Sequence, residues 1–352
     1  MSHKIGLVGL PNVGKSTLFN FLTKKDILVA NYPFATITPN VGVMLLADSR
    51  LEKLSKYWQS KKTTPSVIEI VDIAGLVKGA AQGSGLGNEF LSHIREVDLI
   101  CQVLRCFSDQ DIVHVEKSVN PIRDWEIIQL ELIEADLQQI ERKLTKLKIR
   151  DEKAQKEKNV LQSIQEKLAQ EIPVSQLELT AAEKELIKGY HFLTNKPVLL
   201  LANYSGEEKE VHELREHAKK KGLFFFPLAV KLEEEMTELS AAEKKELGWQ
   251  ATDLSSLTEK IKESLNLKTF FTAGAEETKS WLAKKEMTAR ECAGLIHTDI
   301  QKNFIRLEVY NYIDWLGNPS ETQLRKLGKI RSEGAQYIVK EGDICHFLFG
   351  KG

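Results

Sequence analysis

Residues Gly9 to Ser16 read Gly-Leu-Pro-Asn-Val-Gly-Lys-Ser and match the phosphate-binding pattern Gly-x-x-x-x-Gly-Lys-Ser/Thr. The apolar run 5–10 leads into this loop as a predicted buried strand, and residues 17–22 continue as a predicted amphipathic helix. Glycines in such a loop let successive backbone N–H groups turn onto phosphate oxygens, and the helix N-terminus adds partial positive charge. Lys15 then reaches the β- and γ-phosphates, while Ser16 ligates Mg²⁺. The stretch therefore predicts a nucleotide site.

Composition describes a globular chain with room for more than one domain. At 352 residues, with 42% hydrophobic and 28% charged residues, it is long enough for two or three domains. No apolar run approaches the ~20 residues that cross a bilayer. A strand is predicted from residue 5, so we expect neither a membrane partner nor a secretory signal. The four cysteines lack C-x-x-C spacing, which is typical of packed thiols in a cytoplasmic protein. The net charge of −1 gives no overall signal for nucleic acid, and we expect no DNA partner.

The first 121 residues alternate predicted strands with predicted helices. The strands are short, apolar and rich in β-branched residues, and they are predicted at 5–10, 41–46, 67–73 and 99–104. The intervening helices are predicted at 16–22, 50–59 and 89–97. This alternation predicts an α/β fold with a doubly wound, mainly parallel sheet.

A heptad pattern then interrupts the alternation. Its apolar positions are spaced three and four residues apart at Leu130, Ile133, Leu137, Ile140, Leu144 and Leu147. A second seam returns through Ala154, Leu161, Ile164 and Leu168 and ends at Pro173. Two such helices joined by a polar turn predict an inserted antiparallel coiled-coil hairpin. Residues 141–158 carry eight Lys/Arg against four Asp/Glu, which fits either a partner-binding surface or a solvated helix face.

The strand pattern resumes after the hairpin and gives way to a compact third segment. A capping box, Thr180 to Glu183, opens another helix. Strands are predicted at 198–202, 223–227, 269–272, 305–313, 337–339 and 344–349. A second capping box begins at Thr288, and the Glu341-Gly342 pair predicts a tight turn between the last two strands. We therefore predict a nucleotide-binding domain at 1–121 and 197–266, an insertion at 122–196, and a small mixed sheet with one crossing helix at 267–352.

Two further stretches extend the predicted nucleotide site. Val71-Asp72-Ile-Ala-Gly75 ends the third strand, where a carboxylate can hold Mg²⁺ through water and the Gly75 N–H can meet a γ-phosphate. A polar loop precedes the second strand, and a threonine hydroxyl from such a loop usually completes Mg²⁺ coordination in switch-type hydrolases. On chemistry alone, Thr36 and Thr38 both qualify.

The residue that orients the attacking water is not evident at its usual place. Many GTPases carry a glutamine after Asp-x-x-Gly, whereas this chain has Leu76, which offers no donor or acceptor. His114, in a polar stretch, is the candidate replacement, because a neutral imidazole can orient water or accept its proton near pH 7. From spacing alone, an ordinary surface-loop histidine is the favoured interpretation of His114.

The base-recognition loop lacks the aspartate that selects guanine. GTP-specific proteins carry Asn-Lys-x-Asp after the fifth strand, whereas this chain has Asn203-Tyr204-Ser-Gly206. Adenine presents a lone pair at N1, which a carboxylate would repel, so its loss permits ATP. The following stretch 229–231, which includes Val230, is placed to back the base with main chain.

Taken together, these motifs resemble the YchF subfamily of Obg-like P-loop ATPases. The resemblance covers essentially the whole chain and is carried by the stretches 9–20, 31–43, 71–80, 85–88, 94–98 and 342–349. It implies a P-loop NTPase domain, an inserted helical hairpin and a C-terminal TGS domain of the β-grasp type.

The resemblance also assigns roles to individual residues. It gives the phosphates to Asn12, Val13, Gly14, Lys15, Ser16 and Thr17. It gives Mg²⁺ to Ser16 and Thr36 rather than Thr38, with Asp72 acting through water, and an activating K⁺ to Asn12. His114 and Lys15 are then the two catalytic residues. The predicted contacts to the base are Asn203, Tyr204 and Val230. One departure concerns the base loop, since the family reads Asn-x-x-Glu, whereas Gly206 stands here and Glu207 follows.

The sequence is thus interpreted as that of an Mg²⁺-dependent, K⁺-stimulated ATPase that acts as a ribosome-associated switch. The hairpin and the TGS domain would present a surface to the ribosome and its rRNA. A GTPase with the same machinery, or a ribosome-binding scaffold with structural nucleotide, remains as an alternative. A metabolic phosphotransferase is disfavoured, because no lid or acceptor pocket is evident.

Overall fold

The computed structural model describes residues 3–23, 40–73, 85–109, 111–149, 151–206, 209–247, 249, 252 and 254–350. In chain order, the strands of these residues are β1 (His3–Val8), β2 (Val41–Leu45), β3 (Lys62–Thr64), β4 (Val67–Asp72), β5 (Leu99–Arg105), β6 (Val198–Asn203), β7 (Phe224–Leu228), β8 (Leu267–Thr272), β9 (Glu277–Lys284), β10 (Phe304–Asn311), β11 (Arg331–Glu333) and β12 (Asp343–Phe349). The α-helices are α1 (Lys15–Thr23), α2 (Ser49–Trp58), α3 (Gly85–Glu96), α4 (Pro121–Lys146), α5 (Glu152–Leu168), α6 (Ala181–Ile187), α7 (Lys209–Lys221), α8 (Val230–Glu238), α9 (Ala241–Glu246), α10 (Leu254–Ser264), α11 (Ala289–Ile296), α12 (Thr298–Lys302), α13 (Tyr312–Gly317) and α14 (Glu321–Lys326). Within these ranges, no helix combines the length and the apolar character that crossing a bilayer requires.

The first sheet has the strand order β2-β4-β1-β5-β6-β7. Strands β1, β5, β6 and β7 run parallel, with Ile5 opposite Leu99 and Ile100 opposite Val198. Every residue of β5 is buried, as expected for a parallel strand covered on both faces. The predicted α/β organisation with a largely parallel sheet is therefore confirmed for this part of the chain.

The strand order identifies the end of β1 as a special position. From β1 the chain first adds β4 and β2 on one side and later adds β5, β6 and β7 on the other. In open α/β sheets, ligands bind beyond the carboxyl ends of the strands at the point where the order changes direction. The predicted phosphate loop leaves β1 at that point.

Two consecutive helices, α4 and α5, follow the strand β5 as predicted for the inserted hairpin. The side chain of Asn120 caps α4, and Asp151 caps α5 by accepting a hydrogen bond from the Ala154 N–H at 2.7 Å. Ile140, Leu161 and other apolar side chains of both helices share one buried cluster. The further classification of this pair as a coiled coil stays a prediction.

One residue of the predicted heptad seam is misplaced. Leu130 is 46% exposed, whereas Ile128 and Leu132 on the same helix are buried. Near the N-terminal end of α4, Ile122 and Trp125 pack on the cluster that contains Leu104 of β5 and Leu214 of α7. The heptad pattern therefore does not predict the buried face at this end of α4, because the helix packs there on β5 and α7.

The chain divides into two compact units. Of the residues that the structure describes, those within 3–44 and 69–252 form one unit, and those within 45–68 and 254–350 form the other. The segment 45–68 joins the C-terminal unit because Leu51 and Leu54 of α2 share a buried cluster with Phe271 and Tyr310. The predicted boundaries placed this segment in the nucleotide domain, and the three-domain division otherwise stays a prediction.

The C-terminal unit contains a mixed sheet with the order β11-β10-β12-β8-β9-β3. Helix α11 begins at the predicted capping box of Thr288 and Glu291 and packs into the cluster that contains Phe270 and Phe347. The predicted strand at 337–339 is absent, since only an isolated bridge joins Ile338 to Thr288. Strands β3, β9 and β11 were not predicted, because their many polar side chains hide the strand pattern. Assignment of this unit to the TGS type stays a prediction.

Asp136 ties the middle of α4 to the chain that enters β6. Its carboxylate is fully buried and accepts hydrogen bonds from the N–H groups of Leu193 and Thr194, both at 2.9 Å, and from the Thr194 hydroxyl at 2.8 Å. All three partners are donors, so both carboxylate oxygens are used as acceptors.

We expect Asp136→Asn to destabilise the protein by about 2 kcal/mol, because the amide NH₂ would face buried donors and leave them without an acceptor. Urea unfolding followed by circular dichroism measures the change. The matched control is Asp151→Asn, which should be almost neutral because asparagine caps helices as well as aspartate does. Equal stability of the two variants would contradict the structural role of Asp136.

Candidate functional site

The phosphate loop turns tightly between β1 and α1. Asn12 and Gly14 adopt left-handed backbone conformations, with φ of 62° and 96°. A Cβ atom at Gly14 would also lie 2.3 Å from the side-chain nitrogen of Asn203, and one at Gly9 would lie 2.6 Å from the Val103 carbonyl oxygen. Glycine is therefore required at both positions, which allows the loop to approach the neighbouring strand ends.

Lys15 lies across this loop at the start of α1. Its Nζ donates hydrogen bonds to the carbonyl oxygens of Gly9 at 3.0 Å and Leu10 at 2.9 Å, and the residue is 8% exposed. Burial lowers the pKa of Lys15 to about 8, against the opposing attraction of the Asp72 carboxylate. An anionic ligand at the loop would stabilise the charged ammonium that burial disfavours.

Ser16 and Asp72 supply two adjacent oxygen ligands. The Ser16 hydroxyl donates to the Asp72 carboxylate at 2.9 Å, so the first turn of α1 and the end of β4 meet. A hydroxyl and one carboxylate beside bound phosphates are the ligands that Mg²⁺ uses in nucleotide sites. The pair therefore fits Mg²⁺. In the described residues, no group of three or more His, Cys, Asp or Glu side chains could bind a metal by itself.

Asn203, at the end of β6, holds the loop from the other side. Its side-chain Nδ2 donates to the Val13 carbonyl oxygen at 2.9 Å, and its Oδ1 accepts from the Val230 N–H at 3.3 Å. Tyr204 packs against the neighbouring apolar cluster, and a Cβ at Gly206 would meet no atom within 4 Å. One amide hydrogen of Asn203 remains for a ligand, while the Val230 N–H is already bound.

Arg105 organises the loop that leads to His114, and the sequence analysis missed it. Its guanidinium is buried and donates to three backbone carbonyls, those of Phe107 at 3.1 Å, Asp109 at 3.1 Å and Ile112 at 2.9 Å. A charged residue at the end of the otherwise uncharged, fully buried strand β5 was the available signal. The backbone carbonyls of an irregular loop lack the N–H partners of a helix or sheet, and the guanidinium supplies donors in their place.

His114 lies in the next part of that loop and is 7% exposed. Its Nε2 is 2.9 Å from the Asp124 carboxylate, and its Nδ1 accepts a hydrogen bond from the Glu116 N–H at 3.1 Å. The neighbouring Val113 carbonyl accepts a hydrogen bond from the Asn12 side chain at 3.2 Å. The loop therefore touches the phosphate loop, while both imidazole nitrogens are bound elsewhere.

The structure thus brings most of the predicted residues to one edge of the first sheet. The residues gathered there are Asn12, Val13, Gly14, Lys15, Ser16, Thr17, Asp72, Asn203, Tyr204 and Val230. His114 belongs to an adjacent loop, with its ring paired to Asp124. Thr36, Thr38, Gly75, Leu76 and Glu207 lie outside the described residues.

A strand, a glycine-requiring loop and a lysine-bearing helix, with a carboxylate on the neighbouring strand end, define a P-loop nucleotide-binding protein. A family model described as a 50S ribosome-binding GTPase matches residues 4–204. A second model, YchF-GTPase_C, described as a protein of unknown function (DUF933), matches residues 267–350.

Full-length relatives make the family specific. The ribosome-binding ATPase YchF of Bacillus subtilis (strain 168) is 44% identical over 364 residues, covering 99% of this chain and 100% of that protein. Its namesake from Escherichia coli O157:H7 is 42% identical over 361 residues, with 99% of each chain covered. The solved structure of the Schizosaccharomyces pombe YchF GTPase matches with a TM-score of 0.87 and 35% identity, covering 99% of this chain and 98% of the other. The chain belongs to the YchF family.

The shifted pKa of Lys15 predicts that a nucleoside triphosphate binds with proton uptake. Lys15 has a pKa of about 8 in the structure, and bound phosphate raises this value, so affinity falls as the pH rises above about 8. As the pH rises above about 8 we expect uptake that approaches one proton per nucleotide, and little at about pH 7, where Lys15 already carries its charge. Calorimetry with Mg²⁺ in buffers of different ionisation enthalpy measures the uptake.

Lys15→Arg is the matched control for this measurement. Arginine keeps the positive charge but does not titrate in this range, so any binding that survives should occur without uptake. Uptake of the same size in the variant, or none in the parent protein, would contradict the assignment.

Proposed function

We propose that this protein is an ATPase that hydrolyses ATP to ADP and binds ribosomes as a nucleotide-controlled switch. The observation that carries the proposal is the Lys15–Ser16–Asp72 arrangement at the end of β1, since it provides a desolvated cation and two Mg²⁺ ligands beside a phosphate loop. The names of the two bacterial relatives support the same activity.

The choice of ATP over GTP rests on what the base loop lacks. Guanine selection needs a carboxylate that accepts from N1–H and N2–H, and Gly206 has no side chain to provide one. The Asn203 amide is bound to Val13 and Val230, which leaves one hydrogen for a base nitrogen. The opposing consideration is the word GTPase in the description of the matching family model and in that of the yeast structure. A GTPase with the same machinery is therefore the second candidate.

For the chemistry, we assign a role to each group. Ser16 and Thr36 hold Mg²⁺, with Asp72 acting through water, and Mg²⁺ when bound neutralises charge on the β- and γ-phosphates. Lys15 stabilises the same phosphates, and Asn12 holds an activating K⁺. His114 orients the attacking water, because Leu76 occupies the position where other enzymes use glutamine. The γ-phosphate orders Thr36 and Gly75, and hydrolysis releases them.

For the partner, the proposal uses the charge of the helical insertion. Arg142, Lys146 and Lys148 are exposed near the end of α4, within the stretch 141–158, where basic residues outnumber acidic ones by eight to four. A surface of this kind attracts the phosphates of rRNA. The C-terminal unit is the second surface proposed for the ribosome, which places the action in the cytoplasm.

We expect the purified protein to hydrolyse ATP faster than GTP, with Mg²⁺ required and KCl more effective than NaCl. His114→Ala should lower kcat by at least about 100-fold with little change in KM, since general acid–base groups contribute about that factor. Phosphate release with each nucleotide, and competition between the two, measures these effects. Faster GTP turnover would favour the second candidate, and no turnover with retained ribosome binding would favour a scaffold.

We expect the triple variant Arg142→Gln, Lys146→Gln and Lys148→Gln to bind ribosomes about tenfold more weakly and with a shallower salt dependence, because phosphate contacts are lost. Sedimentation with ribosomes over a KCl series measures both. The matched control replaces Lys209, Lys219 and Lys220, which are exposed on α7, by glutamine. An equal loss of ribosome affinity in both triple variants would show that only the net charge matters. That outcome would contradict a specific ribosome-binding surface on the hairpin.

A further inference from the structure

We propose that Asp124 is a positioning residue that holds His114 in a retracted arrangement, and that hydrolysis requires release of the ring from this carboxylate. The inference rests on the proposed function, in which His114 orients the attacking water. It adds a second residue and a conformational step that the sequence analysis did not contain.

The hydrogen bonds of the ring show why release is needed. Nδ1 accepts from the Glu116 N–H, so in this arrangement it carries no proton, and Nε2 is the nitrogen that donates to Asp124 at 2.9 Å. The only acceptor of a neutral imidazole is therefore occupied by the backbone, and its only donor by a carboxylate. A water molecule finds neither nitrogen available.

Asp124 is itself held firmly. It is fully buried in the first turn of α4, and its second oxygen accepts from the Arg123 guanidinium at 2.8 and 3.1 Å. Arg123 also donates to the hydroxyl and the carbonyl of Ser118, at 3.0 and 2.7 Å. One carboxylate thus serves two cationic or polar donors, with one oxygen for His114 and the other for Arg123.

In the segment around His114, two apolar side chains are exposed while the polar imidazole is buried. Val113 is 75% exposed and Val115 is 51% exposed, while the imidazole between them is buried. Lys117 adopts a left-handed backbone conformation with φ of 61°, which is costly for a residue with a side chain. Apolar exposure and backbone strain both oppose the retracted arrangement, so the contacts of His114 with Asp124 and Glu116 are what balance them.

The same contacts define which residues move. Arg105 fixes the carbonyl of Ile112, and Arg123 fixes Ser118. The five residues 113–117 lie between these two anchors and contain both exposed valines, the imidazole and the strained lysine. Rotation of this short segment exchanges the buried ring for buried valines without moving either anchor.

The central test is Asp124→Asn. An asparagine offers one oxygen, so it can accept from His114 or from Arg123 but not from both as Asp124 does, and its NH₂ then faces a donor. If the arrangement in which His114 is released is a minor population, weakening the retracted arrangement enlarges that population, and kcat rises in the same proportion. We expect kcat for ATP to rise about tenfold with KM unchanged. Glu126→Gln, an exposed residue of the same helix, is the control and should leave kcat unchanged.

Two further variants separate this inference from the proposed function. Asp124→Asn combined with His114→Ala should show no rise above His114→Ala alone. A fall or no change of kcat in Asp124→Asn, with His114→Ala inactive, overturns the positioning role and leaves the role of His114 intact. Unchanged turnover in His114→Ala overturns the proposed role of the histidine itself.

A spectroscopic readout does not depend on turnover. In the nucleotide-free protein, ¹⁵N NMR of the histidine side chains should show His114 as the Nε2-protonated tautomer with a slowly exchanging proton. Asp124→Asn should remove that protection, whereas Glu126→Gln should keep it. If Asp124→Asn fails to fold, Lys117→Gly decides, because glycine relieves the backbone strain of the retracted arrangement and leaves the carboxylate unchanged. It should lower kcat and slow proton exchange of His114, and no change in either quantity overturns the inference.

Discussion

The nucleotide site depends on the two hydrogen bonds that the Asn203 carboxamide makes. The carboxamide donates to the Val13 carbonyl in the phosphate loop and accepts from the Val230 N–H at the start of α8, so one buried side chain joins three segments. The contact is possible only because Gly14 has no Cβ, which would lie 2.3 Å from the same nitrogen. A loop that must cradle phosphates with its N–H groups is thereby fixed before any ligand arrives, and the ordering cost of binding is reduced.

The electrostatics of the site follow from the same geometry. Because the loop approaches the strand ends closely, Lys15 is buried, and the Asp72 carboxylate offsets part of its desolvation. Asp72 in turn accepts the Ser16 hydroxyl, so the residue that supports the lysine is also the one that fits Mg²⁺. A polyanion with a divalent cation would satisfy both groups together, so the site offers local charge complementarity to a triphosphate although the net charge of the chain is −1.

The sequence predicted the features that arise from neighbouring residues. The strand, loop and helix around Gly14, and the capping boxes at Thr180 and Thr288, depend on short-range patterns and are confirmed. Features that depend on distant partners were missed. The segment 45–68 reads as an ordinary strand–helix pair, and only the packing of Leu51 and Leu54 against Phe271 assigns it to the C-terminal unit. The pairing of His114 with Asp124 was also missed, since the two residues are ten positions apart and only the fold of the loop onto the first turn of α4 brings them together.

A single helix connects the two parts of the proposed mechanism. Asp124 lies in the first turn of α4, and the basic residues proposed to meet the ribosome lie near its other end. The helix has 26 residues and is therefore about 39 Å long at 1.5 Å per residue. Asp136 fixes its middle to the chain before β6 through three hydrogen bonds, so the two ends of α4 lie on either side of one buried anchor. The His114–Asp124 contact is made at one end of this helix, and under the proposed function the ribosome would bind near the other, so α4 would be the element that couples ribosome binding to release of the histidine.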